Sequence, residues 1–179
     1  MKVDKKILVT GGTGFVGTRL RSLLVARGNS VAIATRHPEQ HRTAQAAVEY
    51  VPWLPDLVKF DAVVHLAGEP LLGRRWNAAF KEQILASRVE GTRKVVAALA
   101  AASKRPEVLV SASAIGFYGD QGERLLPESA DPGDDFMAGV CRRWEQEALR
   151  AEELGVRVVT LRIGLVLGRE GGALAKMLL

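Results

Sequence analysis

Short apolar runs alternate along the chain with longer stretches whose apolar positions recur every three or four residues. The first kind of pattern suits strands and the second suits helices. Strands are expected at 6–10 and 30–35, with a helix at 15–27 between them that sets Val16, Leu20, Leu23 and Leu24 on one face. Gly28-Asn29 supplies the stop for that helix. A short strand follows at 48–53, where Pro52 and Pro55 interrupt. The run 61–68 is almost continuously apolar, as in a strand covered on both faces. A long helix spans 77–103 and carries Phe80, Ile84, Gly91, Val95 and Leu99 in one stripe. A buried strand at 107–112, a loop rich in Gly, Pro and Asp, a helix at 135–154 and a strand at 157–163 complete the series. Regular alternation of this kind predicts an α/β fold, a doubly wound parallel sheet with helices on both faces.

The most informative local signal lies at the first strand-to-helix corner, Thr10-Gly11-Gly12-Thr13-Gly14-Phe15-Val16-Gly17. Glycines there permit a tight turn, close approach of the backbone to a pyrophosphate, and close packing of helix on strand. The helix that follows aims its free N–H groups and positive dipole end at an anion. This is the phosphate-binding corner of a dinucleotide fold. The dinucleotide-binding domain is therefore drawn at 1–168. Residues 169–179, beginning with Gly171-Gly172, read as the start of a further, truncated substrate region, so the chain is expected to be a fragment.

Composition narrows the class without changing it. The 179 residues, 47% of them hydrophobic, suffice for one core. A single cysteine, Cys141, excludes a disulfide framework within one chain and suits a reducing compartment. No apolar run approaches a membrane span, and a cytoplasmic protein with no membrane partner is expected. The net charge of +5 is spread along the chain and not gathered into a basic stripe, so no nucleic-acid partner is expected. The three histidines are dispersed and no metal site is predicted.

Two arginines sharpen the ligand. Dinucleotide sites that favour NAD usually place an acid about 20 residues beyond the glycines. Here the second strand ends at Thr35-Arg36, with no acid before Glu39. A guanidinium at that corner can hold a 2′-phosphate in a bidentate, charge-assisted way, and Thr35 can add a hydroxyl. The cofactor indicated is NADP, the alternative for Arg36 being a solvated surface position. Arg88 stands four residues after Ile84 and seven before Val95, in the middle of the apolar stripe of the long helix. A guanidinium on a buried face needs an anion or several acceptors. A ligand phosphate or ribose is one partner, with Gln83 assisting from the same edge. A structural ion pair with an acid such as Asp61 is the other.

The motifs together resemble the extended short-chain dehydrogenase/reductases. Those that carry the resemblance are the glycine turn, His65-Leu66-Ala67-Gly68 and Ala112-Ser113-Ala114-Ile115-Gly116-Phe117-Tyr118-Gly119. The atypical epimerase-family branch is nearer still, through Ala67-Gly68-Glu69-Pro70, Arg74-Arg75-Trp76, Ser87-Arg88, Trp144-Glu145 and Leu161-Arg162-Ile163-Gly164-Leu165-Val166-Leu167-Gly168. The resemblance implies a Rossmann-like domain that binds NADP(H) and a longer C-terminal substrate region. It places the pyrophosphate on Gly11, Thr13, Gly14, Phe15 and Val16, and the 2′-phosphate on Thr35 and Arg36. It sets Leu66, Ala67 and Gly68 along the ribose, Arg88 where many relatives carry an asparagine, and Val166 beside the nicotinamide.

One departure bears directly on activity. Enzymes of this kind use a tyrosine with a lysine four residues later, the lysine bringing the phenol toward neutral pH. The corresponding helix here offers Phe136 and Val140, or Met137 and Cys141 one residue on. Ser113 matches the family's catalytic serine position, and Tyr118 is a phenol in the following loop with no lysine beside it. His65, in a buried strand, reads as a satisfied core histidine, and Cys141 as a packed small hydrophobe. Two functions remain open at this point. One is an NADP(H)-dependent oxidoreductase or epimerase acting on an unidentified carbonyl or sugar-nucleotide-like small molecule, with Ser113 and Tyr118 as its catalytic groups. The other is a non-catalytic NADP(H)-binding sensor.

Overall fold

A computed structural model of the chain describes residues 4–41, 45–169, 171–172 and 174. Strands β1 (Lys6–Thr10), β2 (Ser30–Thr35), β3 (Val48–Pro52), β4 (Ala62–His65), β5 (Val108–Ala114) and β6 (Arg157–Ile163) form one sheet in the order β3-β2-β1-β4-β5-β6. Every neighbouring pair in it is parallel. Among the described residues the long helices are α1 (Phe15–Ala26), α2 (Ala78–Ala101) and α3 (Phe136–Leu149). The doubly wound Rossmann-like architecture expected from the alternation is the one observed.

Strand alternation explains why both faces are covered. In β1, Leu8 joins a core with Val63, Leu109, Val95 and Leu99, under α2 and the end of α3. Its neighbours Ile7 and Val9 join the opposite core with Val31 and Ile33, against Leu20, Leu24 and Val25 of α1. Because the strands are parallel, all their carboxyl ends lie along one edge. Thr10 sits opposite Ala34 on one side and His65 on the other. The chain reverses its direction of winding between β1 and β4, which is where open α/β sheets hold their ligands.

Several local expectations need correction. On α1, Leu20 and Leu24 face the core, but Leu23 is 49% exposed and Val16 36%. The buried residue of α1 is Gly17, where the helix lies too close to the backbone of Gly11 and Gly12 for a longer side chain. On α2 the buried stripe takes in Thr92 and Val96, while nothing lies within 4 Å of the position a side chain at Gly91 would fill. Strand β5 continues to Ala114, which puts Ser113 inside the strand and not after it. The last helix tightens after Leu149 into a 3-10 turn, Arg150–Leu154. A short strand β7 (Leu167–Gly168) follows β6 and bridges to Gly172 and Gly171 in antiparallel fashion.

Candidate functional site

Among the described residues α1, α2 and α3 begin differently, and the difference marks the site. Asn77 caps α2 by accepting from the Phe80 N–H (2.9 Å), and Asp135 caps α3 by accepting from the Ala138 N–H (2.8 Å). Helix α1 starts at Gly14, which has no side chain to give, and no acid stands in its first turn. Its leading N–H groups are thus left for an external acceptor, and an anion is the partner the dipole favours.

The glycines keep this corner compact. Gly11 has φ +69°, and a side chain there would fall 2.8 Å from the Ala67 nitrogen and the Leu66 carbonyl. A side chain on Gly12 would fall 2.5 Å from Ile33 Cδ1, and one on Gly17 would run into the Gly11 carbonyl oxygen. The turn and the loop after β4 therefore touch backbone to backbone. Leu66 N–H donates to the Thr10 carbonyl at 3.1 Å. Leu66 and Ala67 thus lie beside the turn, with Gly68 following them.

A cavity of about 870 Å³ opens beside the turn, lined by Thr13, Gly14, Phe15, Val16 and Arg19 on one side and Val166 on the other. Phe15 is the hinge of this arrangement. Side chains at Gly168, Gly171 or Gly172 would come within 2.6–2.8 Å of its ring. The glycine-rich segment after β6 can lie flat on Phe15 only because it is glycine-rich.

Thr35 and Arg36 stand at the carboxyl end of β2, with Thr35 half-buried and Arg36 exposed. Among the described residues no acceptor holds the Arg36 guanidinium, and the Thr35 hydroxyl accepts from the His37 N–H at 3.4 Å. Gln83 is exposed and its side-chain oxygen accepts from Arg74 (3.2 Å), so it does not reach Arg88.

Arg88 is 8% exposed and packs beneath the loop after β4. Its guanidinium donates to the carbonyls of Ile84 (3.3 Å) and Glu69 (3.2 Å) and to the Ser87 hydroxyl (3.4 Å), and lies over the Trp144 ring at 5.3 Å. Burial holds its pKa below the ordinary guanidinium value. The ion pair with Asp61 does not form, since that carboxylate accepts from the Lys6 N–H at 2.8 Å. Ser87 accepts from the Glu69 N–H (3.0 Å), so Ser87 and Arg88 hold both backbone groups of Glu69.

The Ser113 hydroxyl donates to Glu145 Oε1 at 2.5 Å. Arg162 engages both oxygens of the same carboxylate at 2.9 Å, and donates to the Tyr118 oxygen (2.8 Å) and the Glu128 carbonyl (2.7 Å). The hydrogen bond to Glu145 raises the Arg162 pKa further. Glu145 and Arg162 were not among the residues singled out for chemistry. Their signal in the sequence is faint: Arg162 is one of two arginines in the strand at 157–163, and Glu145 is one acid beside Trp144.

The helix positions at which the resemblance leads one to look for tyrosine and lysine have definite neighbours. Phe136 and Val140 pack with Phe80 and Ile84 of α2, and Trp76 meets both Phe80 and Phe136 edge-on. Met137 packs with the same cluster and, like Cys141, borders the loop after β5, the two lying 3.5 and 3.9 Å from where a side chain at Gly116 would lie. Burial raises the Cys141 pKa, which keeps it a thiol. His65 is fully buried between two threonine hydroxyls, Thr10 (2.6 Å) and Thr92 (3.1 Å). Among the described residues no cluster of ligands suits a metal ion.

The model of the NAD-dependent epimerase/dehydratase family matches residues 7–178. The chain belongs to this family. Among curated epimerase-family proteins, the chloroplastic SDR39U1 homolog of Arabidopsis thaliana is 40% identical over 96% of the chain and 52% of its own length. SDR39U1 of Bos taurus is 39% identical over 97% of the chain and 58% of its own length. The crystal structure of human SDR39U1 with NADPH superposes with a TM-score of 0.80 at 34% identity, covering 97% of this chain and 58% of that one. The chain thus spans a little over half the length of these relatives. As an epimerase/dehydratase-family member, it has the family's NAD(P)-binding turn, parallel sheet and switch point.

Proposed function

We propose that the chain forms the NADP(H)-binding part of a cytoplasmic oxidoreductase or epimerase-like protein that acts on a small carbonyl or sugar-nucleotide-like molecule. The observation that carries the cofactor choice is Arg36: an exposed guanidinium without a partner among the described residues, at the edge that holds the uncapped start of α1. The 2′-phosphate would lie on Arg36 and Thr35, the pyrophosphate on the turn at Gly11, Thr13, Gly14, Phe15 and Val16, and the nicotinamide near Val166. Human SDR39U1, solved with NADPH, supports the same reading.

When bound, the cofactor supplies hydride chemistry, and the chain's residues hold and orient it. Arg88, Ser87 and Gly68 shape the ribose side. Of the two polar candidates, Ser113 gives its proton to Glu145, whereas the Tyr118 oxygen accepts from Arg162 and keeps its own hydrogen to donate. Tyr118 is therefore the proton donor of this reading.

The experiment is a titration with NADPH and NADH. NADPH is expected to bind tighter, and Arg36→Ala to remove the preference, a loss of roughly tenfold to a hundredfold for one charge-assisted contact. Equal affinity in the parent would rule out the role of Arg36. The packing of Phe136 and Val140 into the α2 interface favours a second reading, a binding protein without turnover. Tight NADPH binding with no oxidation of NADPH across a broad panel of carbonyl substrates would select it.

A further inference from the structure

The hydrogen bonds around His65 have a direction, and it can be worked out from one end. The Thr92 hydroxyl lies 2.6 Å from the Arg88 carbonyl, which can only accept, so the single hydroxyl hydrogen is spent there. Toward His65 Nε2, at 3.1 Å, Thr92 can then only accept, and Nε2 must carry the hydrogen. In a neutral ring Nδ1 is then the acceptor, and the Thr10 hydroxyl donates to it at 2.6 Å. The Thr10 oxygen is left free to accept from the Ala67 N–H at 3.3 Å. The neutral ring is also what full burial favours, with the His65 pKa lowered to about 4.

We propose that His65 is a positioning residue for the bound cofactor: fixed with its hydrogen on Nε2, it ties the Ala67 amide, through Thr10, to the backbone of α2 at Arg88, through Thr92. The proposal rests on the NADP(H) reading above. The chain of bonds joins the three pieces that meet at the switch point: the strand that feeds the glycine turn, the loop along the ribose and the helix that bears Ser87 and Arg88. A histidine of the opposite tautomer would set Nε2 and Thr92 lone pair against lone pair, and would turn the Thr10 hydroxyl into an acceptor from Nδ1–H, its own hydrogen then losing the ring as acceptor. The ring therefore sets the spacing between β1 and α2 and also the rotamers of both hydroxyls. An apolar residue of similar size could fill the space but could not orient the Ala67 amide.

The test uses four variants of the full chain, Thr10→Val, Thr10→Ser, Thr92→Val and Thr92→Ser. Nitrogen-15 NMR of the histidine ring gives the tautomer, and titration gives the NADPH dissociation constant. Expected are hydrogen on Nε2 in the parent, an NADPH affinity about tenfold weaker in each valine variant, from the loss of one buried hydrogen bond, and recovery to within threefold in each serine variant. Faster hydrogen exchange at the Ala67 amide is expected in Thr10→Val but not in Thr10→Ser. If one valine variant fails to fold, the other and its serine counterpart decide the matter, since they interrupt the same chain from the opposite end. Hydrogen on Nδ1 in the parent overturns the relay. So do valine variants that fold and bind NADPH as tightly as the parent. A parent with the expected tautomer that binds no NADPH overturns the proposed function and the cofactor role of His65 with it, while leaving the direction of the bonds standing.

Discussion

Arg88 carries its charge beneath the loop after β4, where carbonyl oxygens and a hydroxyl receive it and no carboxylate lies in salt-bridge range among the described residues. A guanidinium held this way has donors to spare and can answer to an anionic ligand. Arg88→Ala is therefore expected to weaken NADPH binding more than it lowers the stability of the free chain, compared by titration and by denaturant unfolding; the opposite order would make the residue structural. His65 makes a second residue-scale prediction. Its native pKa of about 4 lies below the ordinary value of 6.5, so the unfolded state binds the extra proton first as pH falls. The stability tied to this neutral ring is complete above pH 6.5 and is lost as pH falls toward 4, by roughly 3 kcal/mol. Unfolding curves at several pH values, compared with those of a folded His65→Asn variant, should show this slope in the parent and a flatter one in the variant. Both residues could be recognised in the sequence, Arg88 as a charge inside an apolar stripe and His65 as a ring inside a strand. Their partners could not, because Glu69, Thr10 and Thr92 reach them only once separate elements have packed.

Among the elements, β6 and α3 are joined by the two-pronged pair of Arg162 with Glu145, whose side chains are 19% and 9% exposed. Removing one member leaves the other charge nearly buried and unmatched, a loss of about 3 kcal/mol or more. Glu145→Leu and Arg162→Met are each expected to lower the unfolding free energy by that order, and the double variant by less than the sum of the two. Simple additivity in the double-mutant cycle would mean that the pair is not coupled. This pair was hard to see beforehand because its members lie on different elements, and no local periodicity marks such a meeting. The glycine turn is the opposite case: strand, turn and helix follow one another directly, so the chemistry is written in consecutive residues. Helix α1 falls between the two. Its period is legible, but which apolar residues face inward depends on how closely Gly17 lets the helix approach the turn at Gly11 and Gly12.

At the scale of the whole molecule, the parallel strands end along one carboxyl edge, so the proposed site draws on residues as distant in sequence as Gly14, Arg36 and Val166. The same order leaves two outer strands. β3 ends in Pro52, which has no N–H to offer a further strand, whereas β6 carries no proline and pairs on one side only among the described residues. Leu161 of β6 is 42% exposed, and Leu165 and Leu167 just beyond are 64% and 57% exposed. An unpaired strand edge bordered by leucines is a template onto which another extended chain can crystallise its own hydrogen bonds. The isolated chain should accordingly self-associate as its concentration rises, and Leu161→Lys should suppress this in sedimentation velocity without altering the NADPH titration. Left uncovered, this border gives the molecule a colloidal liability, so shelf life and working concentration would be governed by one strand and the residues just beyond it.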